Sequence, residues 1–133
     1  MKQIIILALI LLFAHPYILT AQELKDDNND SESLSISCAK CSAYFKLFSQ
    51  SRIASNDNET AKVYEESEKM FFVFSVLLAG SGQDRDKEES FKVTESRVKK
   101  EYKTTKQEIN NNYDNFLILT EKYFFWCEEI LKK

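Results

Sequence analysis

Apolar positions recur every three or four residues along most of this chain and rarely every two. Leu34, Cys38, Cys41, Phe45 and Phe48 follow one another at intervals of four, three, four and three. Such spacing returns a side chain to the same face of an α-helix. It predicts a first helix over residues 34–53 with both cysteines on the inward face. "SNDNE" then breaks the pattern, and Asn56 with Glu59 has the form of a capping box. A second helix is expected over 59–79. Tyr64, Ser67, Phe71, Phe74 and Leu78 form its stripe, widened by Val63, Met70 and Leu77. Its second half is apolar on nearly every side, which predicts the most buried element of the fold. Gly80 reads as a left-handed stop just past its end.

Asp86 with Glu89 marks the start of a third helix near Lys87. Phe91, Val98, Tyr102 and Ile109 make a thin stripe among seven acids and eight bases between Asp84 and Glu108. A helix of that kind buries one narrow seam and keeps a broad wet face. Three asparagines, Asn110 to Asn112, weaken it, and Asp114 has the chemistry to cap a new helix. The spacing nevertheless runs on through Tyr113, Phe116, Thr120, Phe124, Cys127 and Leu131. Two helices broken near Asn111, or one long bent helix, both satisfy it, and the asparagines favour the break. The expected fold is an all-α, up-down bundle of four helices. The scarcity of turn formers, 2 Gly and 1 Pro in 133 residues, argues against a sheet.

The N-terminus changes the picture of where the chain works. Lys2 precedes an apolar run from Ile4 to Ala14, Pro16 interrupts it, and Ala21 is a small residue at a cleavage position. This is the layout of a signal peptide over residues 1–21. The run is shorter than the ~20 residues a spanning helix needs, and so is Met70–Ala79, which reads as core. The expected mature chain of about 112 residues is not membrane-spanning and is secreted or periplasmic. Residues 22–33, QELKDDNNDSES, read as a flexible acidic lead-in, and 34–133 as a single helical domain. Without Lys2, 17 basic side chains face 21 acidic ones, a mild net charge of about −4 that argues against nucleic acid as a partner.

Missing residues exclude chemistry. The one histidine, His15, lies in the leader, so the expected mature chain has no Ser-His-Asp or Cys-His catalysis and no histidine-ligated metal. Gly80 and Gly82 cannot build a phosphate loop or a dinucleotide fingerprint. Glu65, Glu66, Glu68, Glu88 and Glu89 sit in charged helical stretches and read as a solvated face. No cofactor, metal or catalytic residue is expected.

The cysteines carry the remaining signal. In an up-down bundle the first and last helices are antiparallel neighbours. Cys127, near the end of the last, then meets Cys38 or Cys41 near the start of the first. Spacing leaves both pairings open, and register slightly favours Cys38. The alternative is a thiol-active protein using Cys38 and Cys41, with Ser37 capping a helix that starts at Cys38, where the helix dipole lowers a thiol pKa. Its likeness to thioredoxin-like proteins stops there, because those have several strands and a cis-proline facing the pair.

"CSAYF" at 41–45 and the late cysteine in "YFFWCEEIL" resemble a loose group of small secreted bacterial all-helical proteins of unknown function. They share a Cys-x-Ala-Tyr-aromatic start and a C-terminal cysteine. The resemblance covers about a dozen residues, and Cys38 departs from its pattern. It implies a helical fold stapled by a Cys41–Cys127 disulfide, with Cys38 left as a buried free thiol, and nothing about chemistry.

The aromatic clusters around Phe71 and Tyr123 occupy more than one helix face. Most of these rings read as core, while Phe72, Phe125 and Trp126 are candidates for an exposed contact patch. Asn29-Asp30-Ser31 and Asn58-Glu59-Thr60 are glycosylation sequons, relevant only in a eukaryotic secretory route. The expected function is a secreted non-catalytic helical module that binds a protein, a lipid or a second copy of itself.

Overall fold

The computed structural model describes residues 28–132. The expected signal peptide and residues 22–27 of the lead-in lie outside them. All regular elements among the described residues are helical. α1 spans Asn28–Ala54, α2 Asn58–Gln83 and α3 Lys87–Glu108. A final segment combines a 3-10 turn (Tyr113–Asn115), α4 (Phe116–Leu119), a π turn (Thr120–Phe124) and α5 (Phe125–Ile130). Ser35 meets Ser75, and Ser49 meets Glu65, so α1 and α2 are antiparallel. Arg97 reaches Ser35 and Tyr102 reaches Gln50, so α3 runs parallel to α1. Phe116 packs on Phe48 and Cys127 bonds to Cys41, so the final segment runs antiparallel to α1. This is the expected up-down order.

The helix ends follow local chemistry with shifts of a few residues. Asn56 does not cap α2; it takes the left-handed turn at φ 60°. Asp57 is the cap, its side chain accepting from the Thr60 N–H at 3.2 Å. Asp86 caps α3 as expected, accepting from the Glu89 N–H at 2.8 Å. Gly80 does not stop α2, which runs on to Gln83 and ends at Asp84 with φ 55°. Glycine at 80 suits a close approach instead, since a Cβ there would lie a tight 3.1 Å from Ser90 Oγ. The chain breaks where the asparagines predict: Asn110 and Asn111 both turn left-handed, at φ 53° and 56°. Asparagine tolerates that region better than most residues. Asn112, rather than Asp114, caps the next turn, accepting from the Asp114 N–H at 3.0 Å.

Two expectations about burial are corrected. α1, not α2, is the most buried element. Its apolar stripe of Cys38, Cys41, Phe45 and Phe48 belongs to the main core with Phe116, Leu119, Tyr123 and Cys127. Ala39 and Ala43 pack with Val98 of α3, and Ser35 and Ser49 bond across to α2. With packed neighbours on three sides, α1 keeps only a narrow exposed strip, which includes Ile36. The second half of α2 packs mainly on α1 and α3, and Val73, Phe74 and Leu77 remain exposed.

The second correction concerns residues 28–33. They are helical, not a flexible lead-in. Ser31 is buried, and the Glu32 carboxylate pairs with Arg85 at 3.1 Å and with Arg97. Arg97 also donates to Ser35 Oγ at 3.0 Å. Ser35 and Ser75 each donate from the side chain to the other's carbonyl at 2.8 Å. Thr94 joins Ser75 at 3.2 Å. A continuous polar chain therefore ties α1, α2 and α3. A polar stretch that cannot hold a helix alone does so once distant partners satisfy it.

Candidate contact surface beside the Cys41–Cys127 staple

Cys41 of α1 and Cys127 of α5 form the disulfide, with S–S 2.08 Å and Cα–Cα 5.7 Å. Of the two pairings that spacing left open, this is the one the resemblance implied. Both cysteines are fully buried. Tyr44, one turn on from Cys41, is enclosed by Phe45, Phe48, Phe116 and Tyr123, with centroid separations of 5.1 to 5.9 Å. Burial pushes the Tyr44 phenol up to about 12. Phe48 stacks on Phe116 at 4.5 Å, fixing the start of the final segment against α1.

The π turn decides which residues of "YFFWCEEIL" face in. Leu119 and Tyr123 are buried, beside the expected Thr120 and Phe124, which are only half-buried. Leu131, placed on the inward stripe by its spacing, is exposed. The slip begins at Leu119 in α4, and beyond it the wider turn, which advances less in angle per residue than an α turn, offsets the residues that follow. Tyr123 is held by its hydroxyl, which donates to Glu108 at 2.9 Å. Lys122 donates to the same carboxylate at 2.7 Å. Partial burial pushes the Glu108 carboxyl up, but these two hydrogen bonds outweigh it and leave its pKa below the ordinary value. The bond to Glu108 also raises the Lys122 pKa.

With one side locked, the opposite side is presented to solvent. Phe125 is 67% exposed and Trp126 38%. Leu117 is 69% exposed and Ile118 58%. Lys40 of α1 lies 5.2 Å from the Tyr123 ring centre and 5.9 Å from that of Trp126, giving the edge of this surface a cation over two aromatic faces. Phe72 does not join it. It is half-buried between α2 and α3, edge-on to Phe91 at 5.2 Å. The expected patch of Phe72, Phe125 and Trp126 is thus divided, and Leu117 and Ile118 are exposed on the same final segment as the last two. Leu117 and Ile118 fall off the inward stripe that the spacing draws through Phe116 and Thr120, and that is the signal by which a sequence could have placed them outside.

Cys38 is a free thiol, 2% exposed. It sits well inside α1, because the helix begins at Asn28 rather than at the cysteine. The dipole that would activate a first-turn thiol is therefore out of reach, and burial raises its pKa to about 11. Asn58, the second sequon, is exposed at the start of α2. Among the described residues, no three His, Cys, Asp or Glu side chains converge as metal ligands, and no helix is long and apolar enough to cross a membrane. No protein-family model, curated protein or solved structure matches this chain.

Proposed function

We propose that this protein is an exported, non-catalytic helical module that acts by contact through the outer face of its final segment. The observation that carries this is the exposure of Leu117, Ile118, Phe125 and Trp126 together on one short segment whose other side is locked by Cys127, Tyr123 and Phe116. A surface that keeps much of four large apolar side chains in water is expensive unless something covers it. The bonded state of Cys41 and the buried, high-pKa thiol of Cys38 support contact over thiol chemistry, which would need both cysteines free. The disulfide also suits an oxidising, extracytoplasmic setting. The resemblance to small secreted bacterial helical proteins agrees with this reading.

The test is site-specific photo-crosslinking in the protein's own host. A crosslinking residue at position 125 should give adducts, with lipid, a protein or a second copy, that the same residue at exposed Lys103 does not. Equal adduct yields at both positions would sink the proposal.

A further inference from the structure

The valley between α2 and α3 carries a second feature, on a different face. At its loop end the helices are held close by small and hydroxyl side chains, Ser75 with Thr94 and Gly80 against Ser90. Further along the contacts change. Val98, Phe72 and Tyr102 pack over Ala39 and Ala43 of α1, and above them lies a groove of about 400 Å³ lined by Phe72, Val98 and Tyr102 with Lys46, Glu68, Glu95 and Lys99. That is the size of a small-molecule site, which spans ~300 to 1,000 Å³. Its apolar lining comes from Phe72, Val98 and Tyr102.

The charged lining is unevenly satisfied. Glu95 and Lys99 stand one turn apart on α3, both exposed, at a spacing where they offset each other. Glu68 is half-buried; its ion pair is with Lys46, at 3.9 Å, beyond hydrogen-bond reach, and Lys69 acts on it more weakly. The Lys46 ammonium lies 5.7 Å from the centre of the Tyr102 ring, and its side chain is 45% exposed. Burial holds the Glu68 carboxyl above its ordinary pKa, with Glu65 adding to the effect, and Lys46 and Lys69 offset only part of it. The groove thus shows which group its polar end accepts, an ammonium between a carboxylate and an aromatic face, and holds that group loosely.

We propose that this groove binds a small primary amine with an aromatic body, its ammonium at Glu68 beside the Tyr102 ring and its ring over Phe72 and Val98. Lys46 occupies the slot in the free protein and swings out to solvent as the ligand enters. Removing Lys46 leaves one negative charge in excess in the groove, which the ligand's cation neutralises. The ligand ammonium reaches hydrogen-bond distance of Glu68, which the tethered lysine does not. Its ring covers apolar surface that Lys46 leaves wet.

The experiment is a titration of the ¹⁵N-labelled exported protein with phenethylamine, followed by amide chemical shifts. Saturable shifts are expected at Glu68, Phe72, Val98 and Tyr102. Glu68→Gln should weaken binding roughly tenfold, the effect of losing one charge-assisted hydrogen bond. Lys46→Met, which removes the resident ammonium, should tighten it several-fold. Phenylacetate, with the same ring and the opposite charge, should give no saturable shift. The proposal is overturned if phenethylamine does not saturate, if Glu68→Gln binds as well as the parent, or if phenylacetate binds equally. A folding defect cannot imitate the expected pattern, because the two substitutions move affinity in opposite directions.

Discussion

Replacing Cys127 with serine is expected to cost about 4 to 5 kcal/mol of stability. The bridged residues are 86 apart in sequence. The chain-entropy relation for a closed loop of that length gives about 4.6 kcal/mol at room temperature, because the reduced unfolded chain regains the freedom the bridge denied it. A serine hydroxyl would stand where Cys127 is fully buried, which adds to the cost if no partner is reached. A domain of this size holds only ~5 to 15 kcal/mol in total, so the variant should sit near the edge of folding. Urea unfolding without reductant, followed by far-ultraviolet circular dichroism, measures this directly. The variant should also show a larger dependence on urea, since its unfolded chain is no longer cross-linked and exposes more surface. Cys41→Ser is the informative companion. Cys38 lies one turn away in the same core cluster, so Cys127 keeps a second partner when Cys41 is lost, whereas losing Cys127 leaves no cysteine on the final segment to bridge to α1. Cys41→Ser should therefore cost less than Cys127→Ser, and mass mapping should find a Cys38–Cys127 bond in it. If Cys127→Ser unfolds within about 1 kcal/mol of the parent, the loop-entropy argument fails for this chain.

Three further outcomes are expected. Burial raises the Glu32 pKa, but the hydrogen bonds and charges of Arg85 and Arg97 outweigh it and hold it below its ordinary 4.5; its contribution is therefore complete above that pH and is lost as pH falls through the lowered folded value. Arg97→Ala should cost about 2 kcal/mol at neutral pH and flatten the loss of stability below pH 4.5, read from urea midpoints across that range, and an unchanged acid profile would refute the role given to Glu32. Cys38 should resist alkylation at neutral pH in the folded protein and react fully in denaturant, and Cys38→Ala should cost clearly less than Cys127→Ser; rapid native-state labelling would contradict its burial. Gly80→Ala should fail to deliver its helix-propensity gain, because the new methyl meets Ser90 Oγ, which the Asp86 carbonyl holds in place; in a Ser90→Ala background the same change should stabilise by about 1 kcal/mol, and equal effects in both backgrounds would refute the contact.

Apolar spacing, asparagine at the breaks and the shortage of turn formers were enough to determine an all-helical chain, its four segments and their order. These are local effects, set by residues within a few positions of one another, and a sequence displays them directly. The inward faces of Cys38, Cys41 and Cys127 were legible for the same reason. The choice of Cys41 over Cys38 was not, because a helix offers both on one face and only the seating of the final segment selects between them. That seating includes a π turn at Thr120–Phe124, which no spacing announces, and it buries Leu119 and Tyr123. The helical state of residues 28–33 depends on Arg85 and Arg97, far along the chain, so an acidic stretch that looks unstructured alone becomes the anchor of a polar core. Exposure was likewise decided in three dimensions. Val73, Phe74 and Leu77 stay in water because α1, with a packable face on three sides, takes the central place that composition assigned to α2. A sequence states what each segment can bury; the number of neighbours each one obtains is a property of the packed whole.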